Sequence, residues 1–281
     1  GGYRAVAVPS GLAAIAVTML AFLKNGDHVL VPDNAYGPTR VRVCDGLLAR
    51  AGVEVTYYDP GLGAEIRELI RPNTRLVYLE SPGSLTFEMQ DVGAIAAVAH
   101  EGGALVAIDN TWATPLFFQP ISFGVDIVIE AATKYIVGHA DAMLGTVTTA
   151  TKEVFEQVKW TANALGHSAS PDDCYLGLRG LRTMSVRLER HQKNALTIAH
   201  WLQERPEVDQ VLYPALPDDP GHHLWARDFS GASGLFGVVL KEISKKAVEA
   251  MLDGMELFSM GASWGGYESL ILPTNPAATR T

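Results

Sequence analysis

Short apolar runs alternate with longer mixed runs along the first 150 residues. Residues 5–8 read as a strand, Pro9-Ser10-Gly11 as a turn, and 12–23 as a largely apolar helix closed by Asn25-Gly26. The alternation continues. Strands are predicted at 28–31, 53–57, 76–79, 104–108, 125–130 and 146–149. Helices are predicted from Tyr36-Gly37-Pro38 to about Ala51, over 65–70, and over 92–100 behind Asp91. Strands separated by helices and short turns imply an α/β domain with a mostly parallel sheet. Beyond Thr151 the texture changes. A long helix is expected over 181–202, strands at 208–213 and 235–240, a loop-rich passage between them, and a helix over 244–252. The expected division is a large domain over 1–180, then a linking helix and a smaller, partial α/β domain over 181–281.

In such a sheet, ligands bind outside the carboxyl ends of the strands. Ser10-Gly11, Asn34 to Tyr36, Glu80-Ser81, Asp109-Asn110 and Thr133-Lys134 all fall there. Ser10-Gly11 lies between a strand and a helix N-terminus, where backbone N–H groups and the helix dipole suit a phosphate. It is neither a P-loop nor a dinucleotide fingerprint, because the required Gly-Lys-Ser/Thr and G-x-G-x-x-G are missing. Lys134 follows an apolar strand. It reads either as a side chain snorkelling to solvent or as a reactive amine able to form a Schiff base. Asp109 reads either as a cap or salt-bridge partner or as the counter-ion of a protonated ring nitrogen. Taken together, a reactive lysine, an aspartate and a phosphate cup are the parts that pyridoxal 5'-phosphate needs. Tyr36 could stack on its ring and Thr133 could add a hydroxyl to its phosphate.

Composition narrows the field. The 281 residues are 48% hydrophobic and 19% charged, as in a globular protein, and the net charge of −9 speaks against nucleic acid or an anionic membrane as partner. The uncharged stretch 5–23 resembles a secretory signal, but Pro9-Ser10-Gly11 interrupts it and no cleavage site follows. Cys44 and Cys174 are too few for a disulfide framework, so a reducing, cytoplasmic setting is expected. His222-His223 lacks further ligands at metal-binding spacing and reads as a solvated loop; no metal is expected. Cys174 has no nucleophile-like context, and His139 reads as structural.

Asp109-Asn110-Thr111-Trp112, Ala132-Thr133-Lys134-Tyr135 and Gly138-His139-Ala140-Asp141 resemble the Cys/Met-metabolism family of pyridoxal-phosphate enzymes, and the likeness runs through nearly the whole chain. Glu80-Ser81-Pro82-Gly83-Ser84 and the stretch from Ser263-Trp264 to Leu270 resemble its bacterial cystathionine β-lyase branch. The γ-acting relatives usually carry Thr-Asn-Pro near Gly83-Ser84-Leu85 and Leu near Trp264. They also often place a phosphate-binding Ser where this chain has Ala131.

The resemblance implies a fold-type-I, aminotransferase-like architecture: a seven-stranded-type sheet flanked by helices, usually in a homotetramer of tight dimers. It implies that Lys134 forms the Schiff base and that Asp109 pairs with the pyridine nitrogen. Tyr36 stacks on the ring and assists proton transfer; Ser10, the Gly11 and Leu12 amides and Thr133 hold the phosphate; Ser263 and Trp264 line the substrate site. The implied reaction splits cystathionine to homocysteine, pyruvate and ammonia in methionine biosynthesis. The alternatives are a γ-acting relative and an inactive, truncated homologue. In the family, a Tyr-x-Arg segment upstream of residue 1 and an arginine downstream of residue 281 complete the site. The chain therefore reads as a fragment expected to bind cofactor weakly, and Arg280 is not expected to replace the missing arginine.

Overall fold

The computed structural model describes residues 1–278 and 280. Seven strands form the central sheet: β1 (Arg4–Val8), β2 (His28–Pro32), β3 (Glu54–Tyr58), β4 (Thr74–Glu80), β5 (Leu105–Asp109), β6 (Ile127–Glu130) and β7 (Gly145–Thr149), in the order β1-β7-β6-β5-β4-β2-β3. Only β7 runs against its neighbours. The other six therefore deliver their carboxyl ends to one rim, as the sequence pattern predicts.

Alternate residues of each strand point to opposite faces, and each face has its own core. Leu76, Tyr78, Ile127 and Ile129 pack with α1 (Gly11–Phe22), a wide π-type helix (Thr39–Leu48) and Val154 and Val158. Val77, Leu79, Val106 and Ile108 pack on the other face with α2 (Val92–Glu101), and with Ala195, Ala199 and Tyr213. The signal-like stretch is thus β1, a turn and α1, capped by the Ser10 hydroxyl. Among the described residues no helix is long and apolar enough to cross a membrane.

Three expectations need correction. The helix expected over 65–70 is a 3-10 segment from Pro60 to Leu69, interrupted at Gly63, where φ is +51°. After the short α3 (Thr114–Phe117), no element was predicted between 152 and 180, yet α4 (Lys152–Ala164) and α5 (Pro171–Leu181) fill it; the long helix is α6 (Met184–Gln203), divided from α5 at Arg182-Thr183. Gly180, in the last turn of α5, lets the helix come against the Lys134 loop. A Cβ there would stand 2.2 Å from the Ile136 carbonyl, so α5 ends against the loop that carries Lys134. Finally, His222-His223 is not loop but the start of α7 (His222–Asp228), with His222 Nδ1 2.9 Å from the Pro214 carbonyl. A small sheet pairs β8 (Val208–Leu212) with β9 (Gly237–Leu240). After α8 (Lys245–Asp253), β10 (Ser259–Met260) pairs with β11 (Leu270–Ile271).

His28 carries a testable consequence. It is fully buried in β2, with its ring nitrogens 2.8 Å from the Thr74 hydroxyl and 2.9 Å from the Thr56 hydroxyl. Burial, then the Arg71 charge, holds its pKa below that of an ordinary histidine, about 6.5. The unfolded chain therefore takes up this proton first. Its contribution to stability is present above pH 6.5 and is lost as pH falls toward the depressed folded value. Urea unfolding from pH 8 to pH 5 should show that loss, and His28→Gln should flatten it.

Candidate active site

Each candidate residue stands where a strand ends. β5 delivers Asp109, and both donors that meet this carboxylate come from one residue, Thr111. Its amide donates to Oδ1 at 3.0 Å and its hydroxyl donates to the same oxygen. Oδ2 has no protein donor among the described residues. Asp109 keeps some access to solvent, yet burial pushes its carboxyl upward, against the Thr111 bonds and the Lys134 charge. The Thr111 hydroxyl also accepts the Ala131 amide at 2.8 Å, locking the end of β6 to the end of β5. Thr111 carries no expected role in the sequence; its spacing of two residues from Asp109 is the signal of such a local turn.

Lys134 lies one short turn beyond β6. Its ammonium donates to the Ser263 hydroxyl at 2.8 Å and stands 5.1 Å from the centre of the Trp264 ring. Burial holds its basicity below that of an ordinary lysine, with Asp109 acting in the opposite sense. Ser263 and Trp264 arrive from 129 residues away in sequence. Gly265 makes that approach possible. Its φ is +81°, and a Cβ there would stand 3.0 Å from the Lys134 carbonyl carbon. Trp264 also packs against Tyr135, with ring centroids 5.3 Å apart.

The putting together of the phosphate cup is as close. A Cβ on Gly11 would stand 2.5 Å from Ala131 Cβ, so β6 presses directly on the first turn of α1. The Ser10 hydroxyl accepts the Ala13 amide at 3.1 Å, so it is engaged as the helix cap. The first-turn amides of Gly11 and Leu12 have no acceptor within the helix and would be available to an anion. Thr133 Oγ1 accepts the Leu144 amide at 2.9 Å and lies 3.2 Å from the Leu144 carbonyl, so its present bonds tie the Lys134 loop to the start of β7. Tyr36, half exposed, begins the segment after β2; burial first, then Asp109 and Glu80, raises its hydroxyl pKa.

Two more buried carboxylates flank Asp109. Glu130 on β6 receives the Asn110 amide at 3.1 Å, and burial followed by Asp109 keeps it protonated far above the usual carboxylate range. Glu80 on β4 pairs in register with Asp109 and is pushed up to about 8 by burial and then by Asp109. The rim thus gathers three carboxyl groups near one lysine, and burial and their mutual repulsion favour their protonated forms. Arg280 lies apart from Lys134 in its contacts: its guanidinium pairs with Asp33 at 2.9 Å and with Glu88.

This arrangement fits pyridoxal phosphate on three counts of its own. Asp109 Oδ2 lacks a protein donor and would meet a ring N–H. The α1 amides would meet a phosphate. Lys134 supplies an amine of reduced basicity.

The chain matches the description "Cys/Met metabolism PLP-dependent enzyme" over residues 1–280. Cystathionine beta-lyase MetC of Escherichia coli (strain K12) is 46% identical over 98% of this chain and 70% of that protein. A relative from Rhizobium johnstonii, which carries the cystathionine beta-lyase name provisionally, is 55% identical over 97% of this chain and 69% of that protein. The crystal structure of cystathionine gamma synthase from Xanthomonas oryzae pv. oryzae is 36% identical. It superposes with a TM-score of 0.94 over 100% of this chain and 73% of that one. The chain therefore spans about 70% of these relatives, and with the match extending over residues 1–280 it belongs to the Cys/Met metabolism family of PLP-dependent enzymes.

Proposed function

We propose that this chain is the carbon–sulfur β-lyase that converts cystathionine to homocysteine, pyruvate and ammonia. The observation that carries the reading is the approach of Lys134 to the Trp264 ring, beside Ser263, because γ-acting relatives usually carry Leu near that position. The greater identity to the Escherichia coli lyase than to the γ-synthase supports it.

When bound, pyridoxal phosphate supplies an electron-withdrawing ring that accepts the electron pair left on the substrate α-carbon. The residues of the chain provide everything else. Gly11 and Leu12 bind the phosphate through their amides, and Thr133 supports it. Asp109, held by Thr111, keeps an acceptor opposite the ring nitrogen. Lys134 takes the α-proton on Nζ; its reduced basicity leaves more of it unprotonated at neutral pH than an ordinary lysine. Ser263 fixes the direction of that nitrogen, and the Trp264 ring excludes water beside it. The raised pKa keeps Tyr36 protonated, so it can hand a proton to the departing thiolate.

The same reading divides the chain near residue 180 into a cofactor-binding unit and a smaller unit that covers the substrate. It places the enzyme in the cytoplasm as a homotetramer of tight dimers. The exposure of Tyr175, Leu178 and Leu181 on α5 supports an apolar contact between copies.

Cofactor-loaded protein incubated with cystathionine should yield pyruvate and homocysteine in equal amounts. Formation of 2-oxobutyrate and cysteine without pyruvate would assign the γ-reaction instead.

A further inference from the structure

Glu80 lies between two loops that border the site. Its Oε2 accepts the backbone amide of Tyr36 at 2.8 Å, and its Oε1 accepts the hydroxyl of Ser84 at 2.6 Å. These bonds are reinforced nearby. The Ser84 amide donates to the Asn34 carbonyl at 3.0 Å, and the Asn34 side-chain amide donates to Glu88 at 3.0 Å. Gly83 lets Asn34 pass, since a Cβ there would stand 2.0 Å from the Asn34 amide nitrogen. The segment 33–36 is thus sewn to the segment 83–88, and one buried carboxylate forms the middle of the seam. Burial beside a second carboxylate, Asp109, favours the neutral acid, so what the position uses is the pair of oxygens that meet Tyr36 and Ser84 rather than a charge.

We propose that Glu80 is the positioning residue for Tyr36, tethering its backbone to the Ser84 turn so that the Tyr36 ring and hydroxyl are held over the site. Glu80 touches neither substrate nor cofactor in this role. It acts through the loop. The inference rests on reading Tyr36 as a working residue of the site.

Hydrogen–deuterium exchange of the full chain, with and without cofactor, tests the tether directly. Glu80→Ala should speed exchange in residues 33–38 by about tenfold, the worth of one strong hydrogen bond, and leave 28–32 unchanged. Glu80→Gln should stay within about twofold of the parent, because its carbonyl still accepts the Tyr36 amide and its NH2 can meet Ser84. In turnover, Glu80→Ala should lower kcat more than it raises KM, and should add little to Tyr36→Ala, which removes both the ring and the hydroxyl that the tether holds. If Glu80→Ala does not fold, Ser84→Ala takes its place, with an expected rise in 33–38 exchange of about threefold. Unchanged 33–38 exchange in whichever of the two folds overturns the proposal. So do effects of Glu80→Ala and Tyr36→Ala that multiply. Exchange is measured without turnover, so the tether can fail while the β-lyase reading stands, and the product assay can fail while the tether stands.

Discussion

Lys134→Ala is expected to lose turnover by about 10⁴-fold or more. A positioned base alone contributes about 10²–10⁴-fold, and the same amine also serves as the covalent anchor. No neighbour can take over. The Ser263 hydroxyl that accepts the Lys134 proton is not basic, and the adjacent wall is the Trp264 ring. The fold should survive, since the variant removes a half-buried charge and leaves Ala132 and Tyr135 in their core. The checks are rapid-mixing turnover, the visible absorbance of bound cofactor, and circular dichroism. Loss of the absorbance band with an unchanged fold is the expected combination. Retention of more than about one hundredth of the activity would remove Lys134 from its assigned role.

Asp109→Asn should lower kcat/KM by about 10²–10³-fold, the usual effect of deleting one well-placed electrostatic partner. Two further signs accompany it. Asp109 raises the basicity of Lys134, so its loss lowers the Lys134 pKa. The unprotonated amine then persists to lower pH, and the acid limb of the pH–rate profile moves down. An unmoved limb would show that the two groups are not coupled. Stability moves the other way from activity. Burial raises the folded pKa of Asp109 above that of an ordinary aspartate, so its ionisation destabilises the fold as pH rises through that window. At pH 7, cofactor-free Asp109→Asn should therefore melt at a higher temperature than the parent. Differential scanning calorimetry of both proteins settles the sign.

The large sheet was legible because its strands are short, mostly apolar or β-branched runs, several of them closed by Pro or Asn, as at Pro9, Pro32 and Asn110. Every strand from β1 to β7 falls within two residues of its expected place. The rim was legible because polar residues recur at the ends of successive apolar runs, and although each alone also reads as a cap or a snorkelling side chain, together they fall on one edge of the sheet. The second half was less open. α4 reads Lys-Glu-Val-Phe-Glu-Gln-Val-Lys and buries only a narrow stripe at Val154, Val158, Thr161 and Ala162, so its apolar spacing is faint. The seating of α5 against the Lys134 loop depends on the close approach of Gly180 to Ile136, a contact that no local pattern encodes. In the site, Lys134, Asp109 and Tyr36 were visible as types, but their partners were not. Thr111 acts through a hydroxyl that bridges two strands, and Glu80 acts on a backbone amide 44 residues away. Thr133 was expected to face a phosphate; its present bonds to Leu144 are a tertiary detail.

The antiparallel strand β7 has a consequence for how the chain comes together. β1 finds its sheet partner only in β7, and the Thr149 hydroxyl lies 3.3 Å from the Arg4 carbonyl across 145 positions of sequence. During synthesis the first strand must wait, its edge unpaired, until nearly the whole sheet has been made. Contacts of such separation are slow to form and leave the waiting segment open to wrong association. The turn at Ser10-Gly11 waits with it, because Ala131 and Gly145 are the surfaces it closes against. The cofactor's anion seat is therefore completed late, and pyridoxal phosphate present during refolding should act on the last step of assembly rather than the first.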